Sequence, residues 1–169
     1  ARDEMTEDFL LMNGDTLFTV DVVRKLMKEG KDAINVTVAY KDSYDDDDMK
    51  VTLSEGKGSN LVAVSKIIDM SEVDAESIGM MMFKGRGAQM FREAVENVMM
   101  NPEAVKRYYL TVIDMLAKMV TVGTVEAPQT DWCEVDFPLD LERANSVVSG
   151  WQERFGKKTE SKKAELKAV

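Results

Sequence analysis

Two aspartates in this sequence each follow a short stretch of strand-like residues, and they are the residues best suited to chemistry. Asp15 closes a polar turn after the apolar residues 9–12, and Asp136 follows the stretch 132–135. Short apolar runs bounded by turn residues predict buried strands. Because α/β proteins bind ligands at the carboxyl ends of their strands, the two carboxylates would meet if both strands share one sheet and one direction.

Two carboxylates that meet in this way favour a magnesium site. Mg²⁺ takes oxygen ligands and commonly bridges protein carboxylates to substrate phosphates. Such a metal would hold the phosphates of a nucleoside triphosphate, and attack by a phosphate oxygen on the α-phosphorus would release pyrophosphate. This chemistry depends on positioning and charge neutralisation and needs no protein nucleophile.

Asn13 and Gly14 stand directly before Asp15 in the chain. Gly14 allows the backbone to turn sharply, or allows a ligand to approach closely. The same three residues also fit an ordinary turn before the next helix, because such turns are rich in Asn, Gly and Asp. The residues by themselves leave both interpretations open.

Composition limits the chemistry and the partners. The chain has 169 residues, no histidine, one cysteine (Cys133) and a formal charge of -9. The missing histidine excludes a histidine base and a zinc–histidine site, so a metal must rest on carboxylates, which favours Mg²⁺ with Mn²⁺ as the alternative. The acidic charge argues against non-specific binding to nucleic acid. A single cysteine fits a reducing, cytoplasmic compartment, and no apolar run reaches the roughly 18 residues of a membrane span.

The hydrophobic pattern alternates strands and helices, which predicts an α/β domain over residues 1–155 and a polar, lysine-rich tail over residues 156–169. An upstream part of the domain is expected, because a domain rarely starts immediately before a core strand. The predicted strands are 9–12, 33–41, 49–53, 61–68, 76–83, 121–126 and 132–136, and the predicted helices are 19–29, 88–100, 101–119 and one opening at Pro138.

Two further charged features have competing interpretations. The four aspartates of residues 45–48 could bind a hard cation, but adjacent carboxylates cannot all point one way, so a solvated loop is favoured. Lys66 lies near the end of a predicted strand. It either extends to the surface along its apolar stem or serves as a point charge for a phosphate.

Three short motifs, at residues 11–15, 76–79 and 132–141, fall in the order and spacing seen in the nucleotidyltransferases that make sugar nucleotides and CDP-alcohols. The chain most resembles their cytidylyltransferase branch, which includes phosphocholine, inositol-phosphate and 2-aminoethylphosphonate cytidylyltransferases. That branch prefers Glu-hydrophobic-Asp before the last helix, as in residues 134–136, where sugar-phosphate enzymes more often carry Asp-hydrophobic-Gly. The resemblance runs from about residue 7 to residue 145.

The resemblance implies a Rossmann-like mixed, mostly parallel sheet flanked by helices. It also implies transfer of a cytidylyl group from CTP to a phosphorylated or phosphonylated small alcohol. The implied roles are metal binding by Asp15 and Asp136, contact with the acceptor phosphate by Lys66, an acceptor pocket at Glu76 and Ser77, and proximity to the nucleotide for Asn13 and Gly14. Glu76 could pair there with a cationic amine, and Asp140 would be a helix-start residue.

The chain departs from the family pattern at its amino end and at Phe137. It lacks the Gly-x-Gly-x-Arg loop and Pro-Lys pair with which these enzymes begin, and Phe137 stands where Ser or Thr would normally cap the last helix. We therefore expect the chain to match the carboxyl-terminal part of such an enzyme, with an amino-terminal segment or a partner chain supplying the loop. The alternatives are a sugar-1-phosphate nucleotidyltransferase and a non-catalytic subunit of the same fold.

Overall fold

The computed structural model describes the backbone of residues 2–106 and 108–167, and the side chains of residues 2–104 and 108–156. These residues form a mixed α/β fold, as the sequence predicts. The strands are β1 (Phe9–Met12), β2 (Thr16–Phe18), β3 (Ile34–Ala39), β4 (Lys50–Leu53), β5 (Leu61–Ser65), β6 (Ala75–Phe83), β7 (Val122–Glu126) and β8 (Trp132–Glu134). The α helices are α1 (Val20–Glu29), α2 (Arg86–Met99), α3 (Leu110–Ala117) and α4 (Pro138–Lys167).

Strand β6 is the centre of the main sheet. Six strands pair in the order β5-β4-β6-β3-β7, and β1 also pairs with β6. All nine residues of β6 are buried, because helices cover both faces of the sheet and its sequence is apolar apart from Glu76 and Ser77. Strand β6 therefore lies beneath the neighbouring loops and supports them.

The prediction of a mostly parallel sheet is wrong. Of the pairings that the described residues make in this sheet, β3 with β7 is parallel, and the four pairings of β1, β3 and β4 with β6 and of β4 with β5 are antiparallel. Strands β1 and β3 do share a direction, as expected for strands joined through a helix. Strand β6 lies between them and runs opposite to both, so it makes the neighbouring pairs antiparallel.

The side chains of β6 alternate between two apolar clusters. Met81 and Phe83 pack into the cluster that includes helices α2 and α3, whereas Met80 and Met82 pack into the cluster that includes helix α1. This alternation follows from the two-residue repeat of a strand. The methionines of β6 are therefore core residues, as the sequence predicts.

Strands β1 and β4 share one edge of β6, and Gly79 lies where they meet. β1 pairs with residues 80–83, and β4 pairs with residues 75–76. Gly79 has a φ of 71°, which favours glycine, and its carbonyl accepts a hydrogen bond of 2.9 Å from the backbone N–H of Asn13. The gap between β1 and β4 leaves room beside the sheet at this point.

Two segments differ from their predictions. Residues 16–18 form strand β2, which a three-residue run in a polar turn did not indicate. The helix predicted at 101–119 is divided into a 3₁₀ helix, Pro102–Lys106, and α3, with residue 107 outside the described residues. The division falls at Tyr108 and Tyr109, whose aromatic side chains have only moderate helix propensity.

The last helix is longer than predicted. Helix α4 extends from Pro138 to Lys167 and so includes most of the segment 156–169, for which we predicted a polar tail. Lysine, glutamate and alanine, which dominate this segment, are strong helix formers. Residues 168 and 169 lie outside the described residues. No helix in the described ranges has the length and apolar character needed to cross a membrane.

Candidate functional site

A two-stranded ribbon brings Asp15 and Asp136 together. Strand β2 pairs antiparallel with β8, with Thr16 opposite Glu134, and the backbone N–H of Val135 donates to the carbonyl of Asp15 at 3.0 Å. The prediction that the two aspartates follow strands of the same sheet that run in the same direction is therefore wrong. They come together because β8 returns beside the residues that directly follow Asp15, outside the main sheet.

Glu134 adds a third carboxylate that the sequence interpretation did not assign to the site. Burial raises the pKa of Glu134, and the charges of Asp136 and Asp15 raise it further. The hydroxyl of Thr16 donates to Glu134 Oε1 at 3.4 Å and partly offsets this shift. The carboxylates of this ribbon thus repel one another, although among the described residues no group of three or more has metal-binding geometry.

The ribbon borders a cavity of about 600 Å³ beside the gap between β1 and β4. Every residue that the sequence assigned to a site lines this cavity, namely Asn13, Gly14, Asp15, Lys66, Glu76, Ser77 and Asp136. Side chains from the aspartate run, from the start of α3 and from the start of α4 complete the lining. The proximity of these residues is established by the fold, whereas their chemical roles stay predictions.

Asn13 is fixed by two neighbours. Its backbone bonds to Gly79, and a Cβ on Gly79 would lie far inside van der Waals contact with the Asn13 amide. The hydroxyl of Tyr109 donates to Asn13 Oδ1 at 2.8 Å. Burial raises the pKa of Tyr109 to about 12, and the charges of Asp15 and Glu134 contribute to that shift. The phenol therefore stays protonated and turns the Asn13 amide so that its NH₂ group faces away from Tyr109.

Lys41 connects the aspartate run, residues 45–48, to Glu76 on strand β6. Its ammonium lies 2.6 Å from Glu76 Oε2 and 2.8 Å from Asp48 Oδ2. Burial raises the pKa of Glu76 to about 7, against the opposing effect of Lys41. Burial alone would raise the pKa of Asp48 as well, but the bonds from Lys41 and from the backbone of Asp45 lower it. The run 45–48 is thus exposed over its first three residues and anchored by its last.

Lys66 lines the cavity, and its ammonium lies 5.2 Å from the centre of the Tyr108 ring. The fully buried Lys50 holds this part of the chain, because its ammonium donates to the carbonyls of Lys66 at 2.8 Å and of Asp46 at 2.9 Å. The backbone at Lys66 and the aspartate run are therefore tied to the same buried cation. Lys66 faces the cavity, which favours a ligand-facing position over a purely surface one.

Asp140 is a helix-start residue, as predicted. Its Oδ2 accepts hydrogen bonds from the backbone N–H of Phe137 at 2.8 Å and of Asp136 at 3.2 Å. Phe137 itself has no capping side chain, so Asp140 satisfies these N–H groups from within the first turn of α4. The same bonds hold the backbone of Asp136 at the mouth of the cavity.

Sequence reasoning missed Lys41, Tyr109 and Glu134. Glu134 carried a usable signal, since it belongs to the Glu-Val-Asp sequence on which the family resemblance rests. No sequence signal indicated Lys41 or Tyr109, because each reaches the site only through a long-range contact. Lys41 contacts Glu76, and Tyr109 contacts Asn13.

Solved structures of nucleotidyltransferases match most of the chain. The inositol-1-phosphate CTP transferase from T. maritima is 20% identical with a TM-score of 0.64 and covers 88% of this chain. The UTP-bound UGPase from Acinetobacter baumannii is 17% identical with a TM-score of 0.68 and covers 90%. The CTP:phosphocholine cytidylyltransferase from Streptococcus pneumoniae is 12% identical with a TM-score of 0.60 and covers 82%.

The chain has the nucleotidyltransferase fold. It spans 57%, 54% and 57% of the lengths of these three proteins, respectively, so it corresponds to somewhat more than half of each. No protein-family model matches the sequence, and no curated protein matches it. The nucleotidyltransferase fold agrees with the resemblance drawn from the three sequence motifs, and at these identities the likeness concerns the fold.

Proposed function

We propose that this chain carries the metal and acceptor side of a nucleotidyltransferase that moves a cytidylyl group from CTP to a phosphorylated or phosphonylated small alcohol. The observation that carries the proposal is the approach of Asp15 and Asp136 across the β2–β8 ribbon at one cavity. The Glu-Val-Asp sequence at residues 134–136 supports CTP as the donor, because it is typical of the cytidylyltransferase branch.

The donor set fits Mg²⁺ or Mn²⁺. Both ions take oxygen ligands, and Mg²⁺ is commonly held by one or two carboxylates together with substrate phosphates. The mutual repulsion of Asp15, Glu134 and Asp136, which is visible in the raised pKa of Glu134, is relieved by a cation. Asp15 and Asp136 would hold the metal, which when bound neutralises phosphate charge and orients the triphosphate.

The remaining roles are assigned to other residues that line the cavity. Lys66 would face the phosphate or phosphonate of the acceptor as a point charge. Asn13 and Gly14 would lie beside the nucleotide, and Glu76 and Ser77 would contact the rest of the acceptor. The acceptor phosphate oxygen would attack the α-phosphorus of CTP and pyrophosphate would leave, so positioning is the main task of these residues.

The charge of the cavity supports a contribution from outside the described residues. Six carboxylates line it, at Asp15, Asp47, Asp48, Glu76, Glu134 and Asp136, and among the described lining residues Lys66 is the basic one. A triphosphate needs more cationic and N–H donors than this lining offers. We therefore propose that an amino-terminal segment or a partner chain supplies the glycine-rich loop that holds the triphosphate.

Titration of CTP with Mn²⁺ into the wild type and into Asp136→Ala tests the metal assignment. We expect the variant to lose at least about tenfold in metal-dependent CTP affinity, because one of two carboxylate ligands is absent. Asp131→Ala, which removes an aspartate bonded to Arg154 outside the cavity, is the control. Equal metal-dependent affinity in wild type and Asp136→Ala would refute the metal site.

Two alternatives have specific support. Known structures of the same fold include sugar-nucleotide enzymes, such as the UGPase, so a sugar-1-phosphate acceptor is the second candidate. Competition between a phosphorylated small alcohol and a sugar 1-phosphate for the protein loaded with Mn²⁺ and CTP separates the two. The acid-rich lining supports a non-catalytic subunit as the third candidate, and this alternative predicts no pyrophosphate release when the amino-terminal segment is present.

A further inference from the structure

Lys50, the first residue of β4, is a fully buried lysine that is held by neutral groups. Its ammonium donates hydrogen bonds to the backbone carbonyls of Asp46 at 2.9 Å and of Lys66 at 2.8 Å. Among the residues that the structure describes, no ion pair includes Lys50. Removing an ammonium from water is costly, and an apolar side chain of the same length would fill this space without that cost. The ammonium is therefore expected to do more than pack the core.

The two carbonyls that bind Lys50 belong to two segments that border the same cavity. Lys66 lines the cavity directly, and Asp46 belongs to the aspartate run, whose last two residues line it. In the sheet, Lys50 lies opposite Ser65, the residue before Lys66. The backbone N–H of Lys50 also donates to the carbonyl of Asp48 at 2.9 Å. Lys50 therefore bonds the aspartate run through its backbone and its ammonium, and the ammonium joins the run to the chain at Lys66.

The Lys66 ammonium is unpaired in a cavity that is rich in negative charge. Six carboxylates line this cavity, yet within the described ranges Lys66 forms no ion pair. Its ammonium instead lies 5.2 Å from the centre of the exposed Tyr108 ring, and such a contact is weak. The lysine stem is flexible. A movement of the backbone at Lys66 towards the aspartate run would therefore let a carboxylate capture the ammonium, which would no longer be available to a ligand.

We propose that Lys50 is a positioning residue that fixes the backbone at Lys66 relative to the aspartate run and so keeps the Lys66 ammonium free for an anionic group of the acceptor. This inference rests on the proposed function for the identity of that group, a phosphate or a phosphonate. Lys50 is not one of the residues that line the cavity. It acts on ligand binding through Lys66, by holding two segments of the cavity wall at a fixed separation.

Amide NMR spectra of the ligand-free chain test whether Lys50 joins the two segments. The nitrogen shift of an amide responds to hydrogen bonding at the carbonyl of the preceding residue, so Asp47 and Ile67 report on the two bonds. In Lys50→Met, which keeps the length of the side chain and lacks its N–H donors, we expect both signals to move while those of helix α1 stay in place. The control is Lys84→Met, because Lys84 donates in the same way to the carbonyl of Gly30 at 2.7 Å, outside the cavity.

A double-mutant cycle tests the effect of Lys50 on binding, with ethyl phosphate as the probe, Mg²⁺ present and calorimetry as the measurement. Lys66→Met removes the cation that meets the phosphate, so we expect the affinity to fall about tenfold. Lys50→Met should reduce the affinity by about three- to tenfold, because the Lys66 ammonium is then captured by a carboxylate. In the Lys50→Met background, Lys66→Met should cost less than about twofold, since both changes remove the same interaction. Lys84→Met should keep the affinity of the wild type.

Several results would overturn the proposal. Losses that simply multiply in the double variant would mean that Lys50 supports the fold without positioning Lys66. Unmoved signals of Asp47 and Ile67, or no binding of ethyl phosphate to the wild type, would also contradict it. So would Lys50 ammonium protons that exchange too fast to be observed in the wild type, a measurement that needs no variant to fold. The Mn²⁺–CTP titration with Asp136→Ala does not involve Lys50, so failure of the positioning role and failure of the proposed function give different results.

Discussion

At the scale of single residues, the site depends on neighbours that determine what each polar group can do. Asn13 is an amide with two possible orientations, and the hydroxyl of Tyr109 selects one by donating to Oδ1 at 2.8 Å. Lys41 has the equivalent effect on Glu76 by holding Oε2. In both cases a residue from a distant part of the chain sets the orientation of a polar group in the site.

Replacement of the Tyr109 hydroxyl tests this arrangement. In Tyr109→Phe the amide of Asn13 loses its fixed orientation, so we expect Mn²⁺–CTP affinity to fall by about three- to tenfold, the range of one hydrogen bond. Tyr108→Phe is the matched control, because Tyr108 is largely exposed and uses its ring, which phenylalanine keeps, to face Lys66. Calorimetric titration measures both, and an equal loss in the two variants would contradict the role of the Tyr109 hydroxyl.

At the scale of elements, the site exists because two strands share an edge of β6 and because a separate ribbon forms beside them. Strand β1 ends at Met12, β4 begins at Lys50, and Gly79 of β6, which bonds to the backbone of Asn13, lies where the two strands meet. The ribbon of β2 and β8 then fixes the two aspartates relative to each other. Neither the junction on β6 nor the ribbon involves the carboxyl ends of neighbouring parallel strands, which is where the two aspartates were expected to meet.

Gly79→Ala tests the importance of this junction. The new Cβ would meet both a positive φ and the amide of Asn13, and we expect a loss of about 3 kcal/mol in the free energy of unfolding together with weaker ligand binding. Gly56→Ala has a similar φ of 78° with no atom near its Cβ, so it should lose only about 1 kcal/mol. Urea unfolding of both variants measures the difference, and equal losses would show that backbone strain alone is responsible.

At the scale of the whole molecule, burial of Glu76 connects the cavity to the stability of the fold. The pKa of Glu76 in the folded chain is about 7, above the ordinary glutamate value of 4.5. The folded state therefore holds the Glu76 proton more tightly than the unfolded state does. The cost of ionising Glu76 is absent below about pH 4.5, grows between the two values and is complete above about pH 7.

Glu76→Gln should remove this cost. Relative to the wild type, the variant is expected to gain stability as the pH rises from about 5 to about 8, by an amount on the order of 3 kcal/mol. Chemical denaturation of both proteins at the two pH values measures the change, and the comparison of differences cancels the contributions of the other titrating groups. A stability difference that does not vary with pH would contradict the raised pKa of Glu76.

The sequence determined the order and type of most elements, because their hydrophobic periodicity is local. It also determined the oxygen-rich, histidine-free character of the site and the residues Asp15, Lys66, Glu76 and Asp136 as candidates. Their proximity around one cavity agrees with that selection, and their roles stay predictions.

Tertiary structure alone decided how those residues meet. The antiparallel position of β6, the β2–β8 ribbon and the contacts of Lys41 and Tyr109 all depend on pairing between residues far apart in the chain. Strand pairing partners and long-range side-chain contacts leave no local periodic signal, so a single sequence does not specify them. The residue types therefore indicated which chemistry the site could support, whereas the arrangement of the residues was determined by the fold.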